Sequence, residues 1–232
     1  MKTALILTCE HAVNTIPEAY QSLFQDQTDV LNTHRGIDIG AEMIASHLAE
    51  LFSCQLYQKA QVSRLLIDCN RSLRGQKCFS EWTKTLAPDN KKSLITNYYL
   101  PFREPVIKMI DACIKKKQRV LHLSIHSFTP ILNGIERTTD IGLLYDPQRT
   151  PEKNFARSWQ QALSTHAPHY RVRMNYPYLG TSDGFTSALR RRYSEKNYLG
   201  LELETNQALM HTQNHQNQLI HTINQSLKVL RG

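Results

Sequence analysis

Short apolar segments alternate along this chain with longer segments of helical periodicity. TALILTC (3–9) is too short for a stable helix and is typical of a buried strand, whereas IGAEMIASHLAELF (39–52) repeats apolar residues every three or four positions, as a helix packed on one face does. The alternation continues to the end of the chain. We therefore expect an α/β domain of three layers, in which helices cover both faces of a mixed, mainly parallel sheet.

The remaining segments fit the same pattern. Apolar runs predict strands at 63–69, 119–126, 140–146, 170–175 and 198–205, and amphipathic segments predict helices at 105–116, 152–165, 183–196 and 215–230. The segment 170–175 alternates apolar and basic residues, which indicates an edge strand. We interpret the polar segment 74–93 as a surface excursion rather than a linker, and 232 residues fit one core, so we expect a single domain over 1–232.

The chain is basic, with 28 Lys and Arg against 20 Asp and Glu and a formal net charge of +8. Its basic clusters at 115–117 and 190–192 lack the interleaved aromatic residues of nucleic-acid modules, so we interpret them as solvated faces and expect no nucleic-acid partner. The five cysteines show no C-x-x-C pair and are expected to be free thiols. Neither a secretory leader pattern nor a run of about 18 apolar residues is found, which predicts a cytoplasmic protein without a membrane span. The sequence does not indicate an oligomeric state.

Polar side chains suited to one another lie at the ends of four predicted strands. In sheets of this kind, ligands bind at the carboxyl ends of the strands, where such side chains meet. The residues are Glu10 and His11 after the first strand, Asp68, Asn70 and Arg71 around the second, Ser124 and His126 in the third, and Glu202 and Glu204 in the last. Imidazoles for a divalent metal, a carboxylate for a general base and a guanidinium for an anionic substrate are typical of metal-assisted hydrolysis.

A catalytic zinc site usually has three protein ligands and one position open to water. His11 and His126 are our predicted ligands, because each lies at the end of a buried strand. Asp38, just before the helical pattern of 39–52, is the predicted third ligand, and Glu10 is the alternative. Adjacent strand residues point to opposite faces, so Glu10 and His11 can share a metal only if the strand has already ended.

The general base is predicted in the last strand. Glu202 and Glu204 have the same parity and face the same side, and only Glu204, nearer the strand end, is expected to reach the site and move a proton from water to the leaving nitrogen.

Arginine side chains are predicted to act on the substrate. Arg71, with Asn70 beside it, is suited to bind a substrate carboxylate through two hydrogen bonds. Arg64 could polarise the scissile carbonyl or simply pair with an acid. The segment 176–186 precedes a predicted helix and is either a substrate-closing loop, with Thr181 and Ser182 as binding residues, or an ordinary capped turn.

Five segments of the chain, in order between about residues 4 and 210, resemble the N-formylglutamate amidohydrolase family. They are LILTCEHAVNTIP, HRGIDIGA, SRLLIDCNRS, LSIHSF and GLELETNQAL. The resemblance implies a zinc-dependent hydrolase with a phosphorylase/hydrolase-like fold, in the wider group that includes zinc carboxypeptidases and aspartoacylase. It also implies that Asn70 and Arg71 grip the substrate carboxylate, that His126 binds zinc and that Glu204 is the base.

The sequence departs from that group in two places. Carboxypeptidases and aspartoacylase carry their first ligands as His-x-x-Glu, whereas Asn14 stands three positions after His11, and 190–192 is Arg-Arg-Arg where family members often have a His. We expect a metal-dependent amidohydrolase that cleaves the linear amide bond of a small N-acyl amino acid resembling N-formyl-L-glutamate. The alternatives are a carboxypeptidase-like peptidase and a metal-free binding protein for anionic metabolites or nucleic acid on a hydrolase scaffold.

Overall fold

The computed structural model describes residues 3–231 of the chain, with Arg231 described by its backbone alone. The strands in this part are β1 (Thr3–Cys9), β2 (Leu56–Lys59), β3 (Arg119–Phe128), β4 (Ile131–Leu132), β5 (Ile135–Glu136), β6 (Ile141–Leu144), β7 (Val172–Met174) and β8 (Tyr198–Asn206). The α-helices are α1 (Thr28–Leu31), α2 (Ala41–Leu51), α3 (Pro88–Leu94), α4 (Leu100–Lys115), α5 (Thr150–His166), α6 (Phe185–Arg192) and α7 (Gln213–Arg231). Shorter helical turns lie at Glu18–Phe24, Arg74–Gln76, Ile95–Tyr99 and Gln207–Met210.

Six strands form one sheet in the order β2-β1-β3-β8-β6-β7. β2, β1, β3 and β8 run parallel, β6 runs antiparallel to β8, and β7 is parallel to β6. The central strands are continuous apolar runs because both of their faces are covered, as parallel sheets require. The predicted mixed, mainly parallel sheet is confirmed, and β7 lies at its edge as the alternation of 170–175 indicates.

Helices cover both faces of the sheet. Apolar residues of α2, α5 and α7 pack in one core cluster with alternate residues of β1, β3, β6 and β8. Helices α4 and α6 pack on the opposite face, against Ala4, Ile6, Val120 and Tyr198. The three-layer prediction is therefore confirmed. No helix within residues 3–231 is long and apolar enough to cross a membrane.

The predicted strand at 63–69 is wrong. The segment forms consecutive turns, in which the carbonyl of Ser63 accepts hydrogen bonds from the backbone N–H groups of Leu66 and Ile67. Leu65, Leu66 and Ile67 are buried outside the sheet, in a third cluster. This cluster also contains Cys78 and Phe79, from the segment that was expected to be a surface excursion. The sheet position is taken instead by β2, whose four residues are all at least partly exposed.

Candidate metal centre and substrate cavity

A cavity of about 180 Å³ lies at the carboxyl edge of the parallel strands. His11 follows β1 by two residues, His126 lies in β3, and Glu204 is its register partner in β8. The cavity wall also contains Asp38, Arg64, Asn70, Arg71 and Ser182, so this one cavity brings together every predicted site residue except Thr181.

His11, Asp38 and His126 form a buried cluster whose potential ligand atoms all lie within 4.8 Å of one another. The Nδ1 atom of His126 is 2.8 Å from Asp38 Oδ2, and the Nδ1 atom of His11 is 3.1 Å from the same oxygen. Two nitrogen donors and one carboxylate oxygen form the kind of donor set that catalytic zinc sites use. This cluster could bind a metal ion.

The opposite nitrogens of the two rings face hydrogen-bond acceptors. His11 Nε2 lies 2.8 Å from Asp68 Oδ1, and an ionised carboxylate can only accept, so this nitrogen carries the proton. His126 Nε2 lies 2.9 Å from Ser124 Oγ, whose own proton goes to Glu10. In the neutral rings, both Nδ1 atoms therefore carry a lone pair that faces Asp38; a ring that takes up a second proton carries it there.

Such a convergence of acceptors requires a positive charge between them. Without a metal, protons supply it: burial opposes a charged ring, but the hydrogen bond with Asp38 and the charge of Glu10 raise the pKa of His126 to about 10. Burial likewise opposes the Asp38 carboxylate, but both imidazoles hold the pKa of Asp38 far below its usual range. A divalent cation satisfies the same three atoms without extra protons, which is why metal and protons compete for sites of this kind.

Glu10 lies on the other side of His126. Its Oε1 accepts from Thr8 Oγ1 at 2.8 Å and its Oε2 accepts from Ser124 Oγ at 2.7 Å. The nearest imidazole nitrogen is His126 Nε2, at 3.4 Å, which is the nitrogen directed away from Asp38. Of the two alternatives for the third ligand, the structure groups Asp38 with the imidazoles and gives Glu10 a different set of contacts.

Glu204 is 4% exposed, and its Oε2 atom has no hydrogen-bond partner within the described residues. Burial raises the pKa of Glu204 to about 8; His126 opposes this increase, and Asp38 and Glu202 add to it. A buried carboxyl with a free oxygen on the cavity wall can accept and return a proton. The expectation that Glu204 alone reaches the site is wrong, because Glu202 also lines the cavity, where its carboxylate accepts from Thr186.

The two predicted arginines differ in their partners. Arg64 donates to Asp68 at 3.1 Å and to Asp38 at 3.5 Å, so it pairs with two acids of the centre. Arg71 donates to the backbone oxygen of Asp183 at 2.6 Å, and no ion pair joins it to an acid anywhere in residues 3–231. Its guanidinium therefore lines the cavity as a cation without a carboxylate partner.

Asn70 is held in place through the oxygen of its amide. Its Oδ1 accepts from the backbone N–H of Phe185, at the start of α6, at 2.7 Å. Its Nδ2 lies 3.4 Å from His126 Nε2, which carries its own proton and does not accept a hydrogen bond from it. Only the Nδ2 group is left to face a ligand. Asn70 therefore joins the segment after Asp68 to α6 and keeps both against the centre.

The segment 178–184 forms one wall of the cavity. Tyr178, Ser182 and Asp183 line it, but Thr181 is exposed and lines a separate surface depression, because neighbouring residues of this turn face opposite ways. The structure therefore places Thr181 outside this cavity.

Arg190 anchors this wall. It is 9% exposed, pairs with Glu152 at 2.9 Å and donates to the backbone oxygens of Gly180 and Gly200. Ser187 adds a hydrogen bond to the backbone oxygen of Ser182 at 2.6 Å. The basic cluster 190–192 is thus not simply a solvated face, because its first residue is a buried structural cation.

Two further cavity residues were not singled out from the sequence. His34 lies four positions before Asp38, and burial together with the charges of Arg137 and Arg35 lowers its pKa. Tyr178 accepts a hydrogen bond at its hydroxyl from Arg137 at 3.2 Å. Both lie in segments whose composition indicates a site, but no local pattern distinguishes them from their neighbours.

Comparison with known proteins identifies the family and the fold of the chain. The model of the family described as N-formylglutamate amidohydrolase matches residues 3–211. The gene product Atu2144 from Agrobacterium tumefaciens is 28% identical, with 98% of this chain and 92% of that one covered and a TM-score of 0.76. An N-formylglutamate amidohydrolase from Ralstonia eutropha JMP134 shares the fold, with 16% identity, 100% and 95% coverage and a TM-score of 0.72. No curated protein matches the chain. With a family model that spans nearly its whole length, the chain belongs to the N-formylglutamate amidohydrolase family.

Proposed function

We propose that this amidohydrolase is zinc-dependent and cleaves the linear amide bond of a small N-acyl amino acid resembling N-formyl-L-glutamate. One observation carries the proposal: a ring nitrogen of His11, a ring nitrogen of His126 and the Asp38 carboxylate converge in a cavity that also contains the Glu204 oxygen without a hydrogen-bond partner. One small molecule in this cavity can therefore contact the predicted metal ligands, the predicted base and Arg71, the cation predicted to bind the substrate carboxylate.

The residues of the centre divide into ligands and positioning groups. His11, Asp38 and His126 would hold the zinc ion, which when bound supplies a water molecule of lowered pKa and polarises the substrate carbonyl. Asp68 orients the His11 ring through its Nε2–H group, as carboxylates behind ligating histidines commonly do. Arg64 holds Asp38 and Asp68 together, and we assign it this positioning role instead of the direct polarisation of the carbonyl.

Glu204 carries the proton in this proposal. It takes a proton from the attacking water and delivers it to the leaving nitrogen, so that the amine departs neutral and the acyl group leaves as a carboxylic acid. Its raised pKa, caused by burial, keeps it close to the range in which one group can both accept and return a proton near neutral pH.

Arg71 is the proposed receptor for the substrate carboxylate. Its guanidinium has no acidic partner among the described residues, and a fork of two N–H groups binds a carboxylate more strongly than a neutral acceptor does. Asn70 contributes its Nδ2 group, and Ser182 lies at the same wall. The cavity volume of about 180 Å³ is below the roughly 300–1,000 Å³ of sites for drug-sized ligands, which favours a small substrate.

Zinc content and hydrolysis together test the proposal. The protein is purified, analysed for metal, and assayed for free amine and acid with formyl and acetyl derivatives of several amino acids and with short peptides. We expect about one zinc per chain and release of formate from an N-formyl amino acid, both lost with a chelator and restored by zinc. Preference for peptides would identify the carboxypeptidase-like alternative. Salt-sensitive retention of nucleic acid without metal or hydrolysis would support the binding-protein alternative.

Glu204→Gln tests the base directly. The variant keeps the shape of the side chain but cannot take up a proton, so we expect zinc content to be unchanged and kcat to fall by at least about a hundredfold. Thr181→Ala is the matched control, because Thr181 lies in the neighbouring depression and should leave kcat unchanged. Full turnover by Glu204→Gln would remove Glu204 from this role.

A further inference from the structure

A buried hydrogen-bond network extends from the candidate metal centre into the core through Glu10. We infer that Glu10 is a positioning residue: acting through Ser124, it keeps the proton of His126 on Nε2 and so presents the Nδ1 lone pair to the metal. The inference rests on the proposed zinc site and assigns a role to a residue that the catalytic proposal does not use.

Glu10 is 1% exposed, and no Lys or Arg forms an ion pair with it in the described part of the chain. Each of its oxygens instead accepts a hydrogen bond from a buried hydroxyl, Thr8 Oγ1 on one side and Ser124 Oγ on the other. A carboxylate without a cation is costly to bury, and it remains ionised only where donors or a nearby positive centre compensate it. The imidazole nitrogen closest to Glu10 is His126 Nε2, at 3.4 Å.

The carboxylate fixes the direction of the bonds around it. An ionised carboxylate only accepts, and a hydroxyl has one proton to donate. Ser124 donates its proton to Glu10 at 2.7 Å and must therefore accept from its other partner, His126 Nε2, at 2.9 Å. The proton of a neutral His126 is thus held on Nε2, and Nδ1 is left as the lone pair 2.8 Å from Asp38 Oδ2.

The second branch of the network touches no metal ligand. Thr8 donates to Glu10 and accepts from His122 Nε2 at 2.8 Å, and His122 Nδ1 in turn accepts from the hydroxyl of Tyr198 at 2.7 Å. All of these groups are fully buried. This branch provides an internal control, because a change at Thr8 disturbs the same buried carboxylate without a bond to either ligating ring.

Two substitutions should weaken metal binding. Ser124→Ala removes the acceptor of the His126 Nε2–H group. Glu10→Gln introduces an amide N–H donor; when this donates to Ser124, the serine hydroxyl must donate to His126 Nε2, and the ring proton moves to the metal-facing nitrogen. Thr8→Val removes one hydroxyl and two hydrogen bonds, as Ser124→Ala does, and is isosteric with the native residue.

The test measures the affinity of full-length wild type and the three variants for Zn²⁺ and Co²⁺ by competition with a chromophoric chelator. Thermal unfolding of the metal-free proteins and the visible absorption of the Co²⁺ forms are recorded alongside. We expect Ser124→Ala and Glu10→Gln to bind metal about 10–100-fold more weakly and to alter the Co²⁺ spectrum, whereas Thr8→Val stays within about threefold of wild type. Ser124→Ala and Thr8→Val should lose comparable thermal stability.

Three other results would overturn the inference, and they distinguish its failure from failure of the proposed zinc site. Metal affinity of Ser124→Ala and Glu10→Gln equal to that of wild type would overturn the role of Glu10 and leave the zinc site intact. Equal losses in all three variants would also overturn it, since the network would then act only through stability. A wild-type protein that binds neither ion would overturn the proposed zinc dependence, and this inference with it.

Discussion

His122 should make the folded protein sensitive to mild acid. The ring is completely buried between Thr8 and Tyr198 in the core, and burial, assisted by Arg190, lowers the pKa of His122 to about 4. In the unfolded chain the same ring titrates near 6.5. Between these values the unfolded state binds a proton that the folded state does not, so the free energy of unfolding decreases as the pH falls.

The size of the effect follows from the separation of the two pKa values. A difference of about 2.5 units corresponds to a total of roughly 3 kcal/mol, of which about 2 kcal/mol is already lost at pH 5. The loss begins below about pH 6.5 and is complete near pH 4. Above about pH 7 the His122 ring is neutral in both the folded and the unfolded state, so it no longer makes the free energy of unfolding depend on pH.

Comparison with His122→Asn isolates this contribution from that of the carboxylates. Asparagine does not titrate, so the variant should be less stable than wild type at pH 7 and the difference should shrink by about 2 kcal/mol at pH 5. Urea unfolding of the metal-free proteins, followed by fluorescence of the buried Trp159 and by circular dichroism, gives both free energies. A difference that stays constant or grows as the pH falls would refute the reasoning.

Three further changes test the cavity. Arg71→Met should raise KM for an N-acyl amino acid about 10–100-fold with a smaller change in kcat, measured by steady-state kinetics, whereas the exposed Arg191→Met should leave both unchanged. Gly142→Ala places a methyl group against the backbone oxygen of Tyr176, two residues before the cavity residue Tyr178, so we expect a displaced wall and a higher KM, and an unchanged KM would contradict this. Asp68→Asn should weaken zinc binding about 10–100-fold in chelator competition, because the amide no longer fixes the His11 ring; wild-type affinity would exclude that role.

The elements that were predicted correctly are those whose burial produces a recognisable local pattern of apolar residues. β1, β3 and β8 are covered on both faces, and their continuous apolar runs indicate this directly. The segment 63–69 has the same apolar character but packs in a cluster beside the sheet, and an apolar run alone does not specify what it packs against. β2 was not predicted because it is only four residues long and partly exposed. Its structure depends on pairing with β1, which no local pattern indicates.

The candidate site could be predicted from the sequence for those residues that lie at the carboxyl ends of strands. His11, His126 and Glu204 were identified by position at the carboxyl edge, and the structure brings them to one cavity. The choice between Asp38 and Glu10 depends on which side of the His126 ring each carboxylate approaches, and this follows from long-range packing rather than from spacing along the chain. The different surroundings of Thr181 and Ser182 have the same origin.

The reversed direction of β6 has a consequence for how this enzyme could be altered. Because β6 is antiparallel to β8, the chain passes from the end of β3 to the start of β6 along one edge, through the hairpin of β4 and β5, without crossing the sheet. The tip of this hairpin, Asn133–Gly134, is exposed, and Phe128 and Thr129 at its base line the cavity. Loops of other lengths could therefore be grafted at 133–134 to reshape the entrance, while the strands that carry the chemistry keep their pairing.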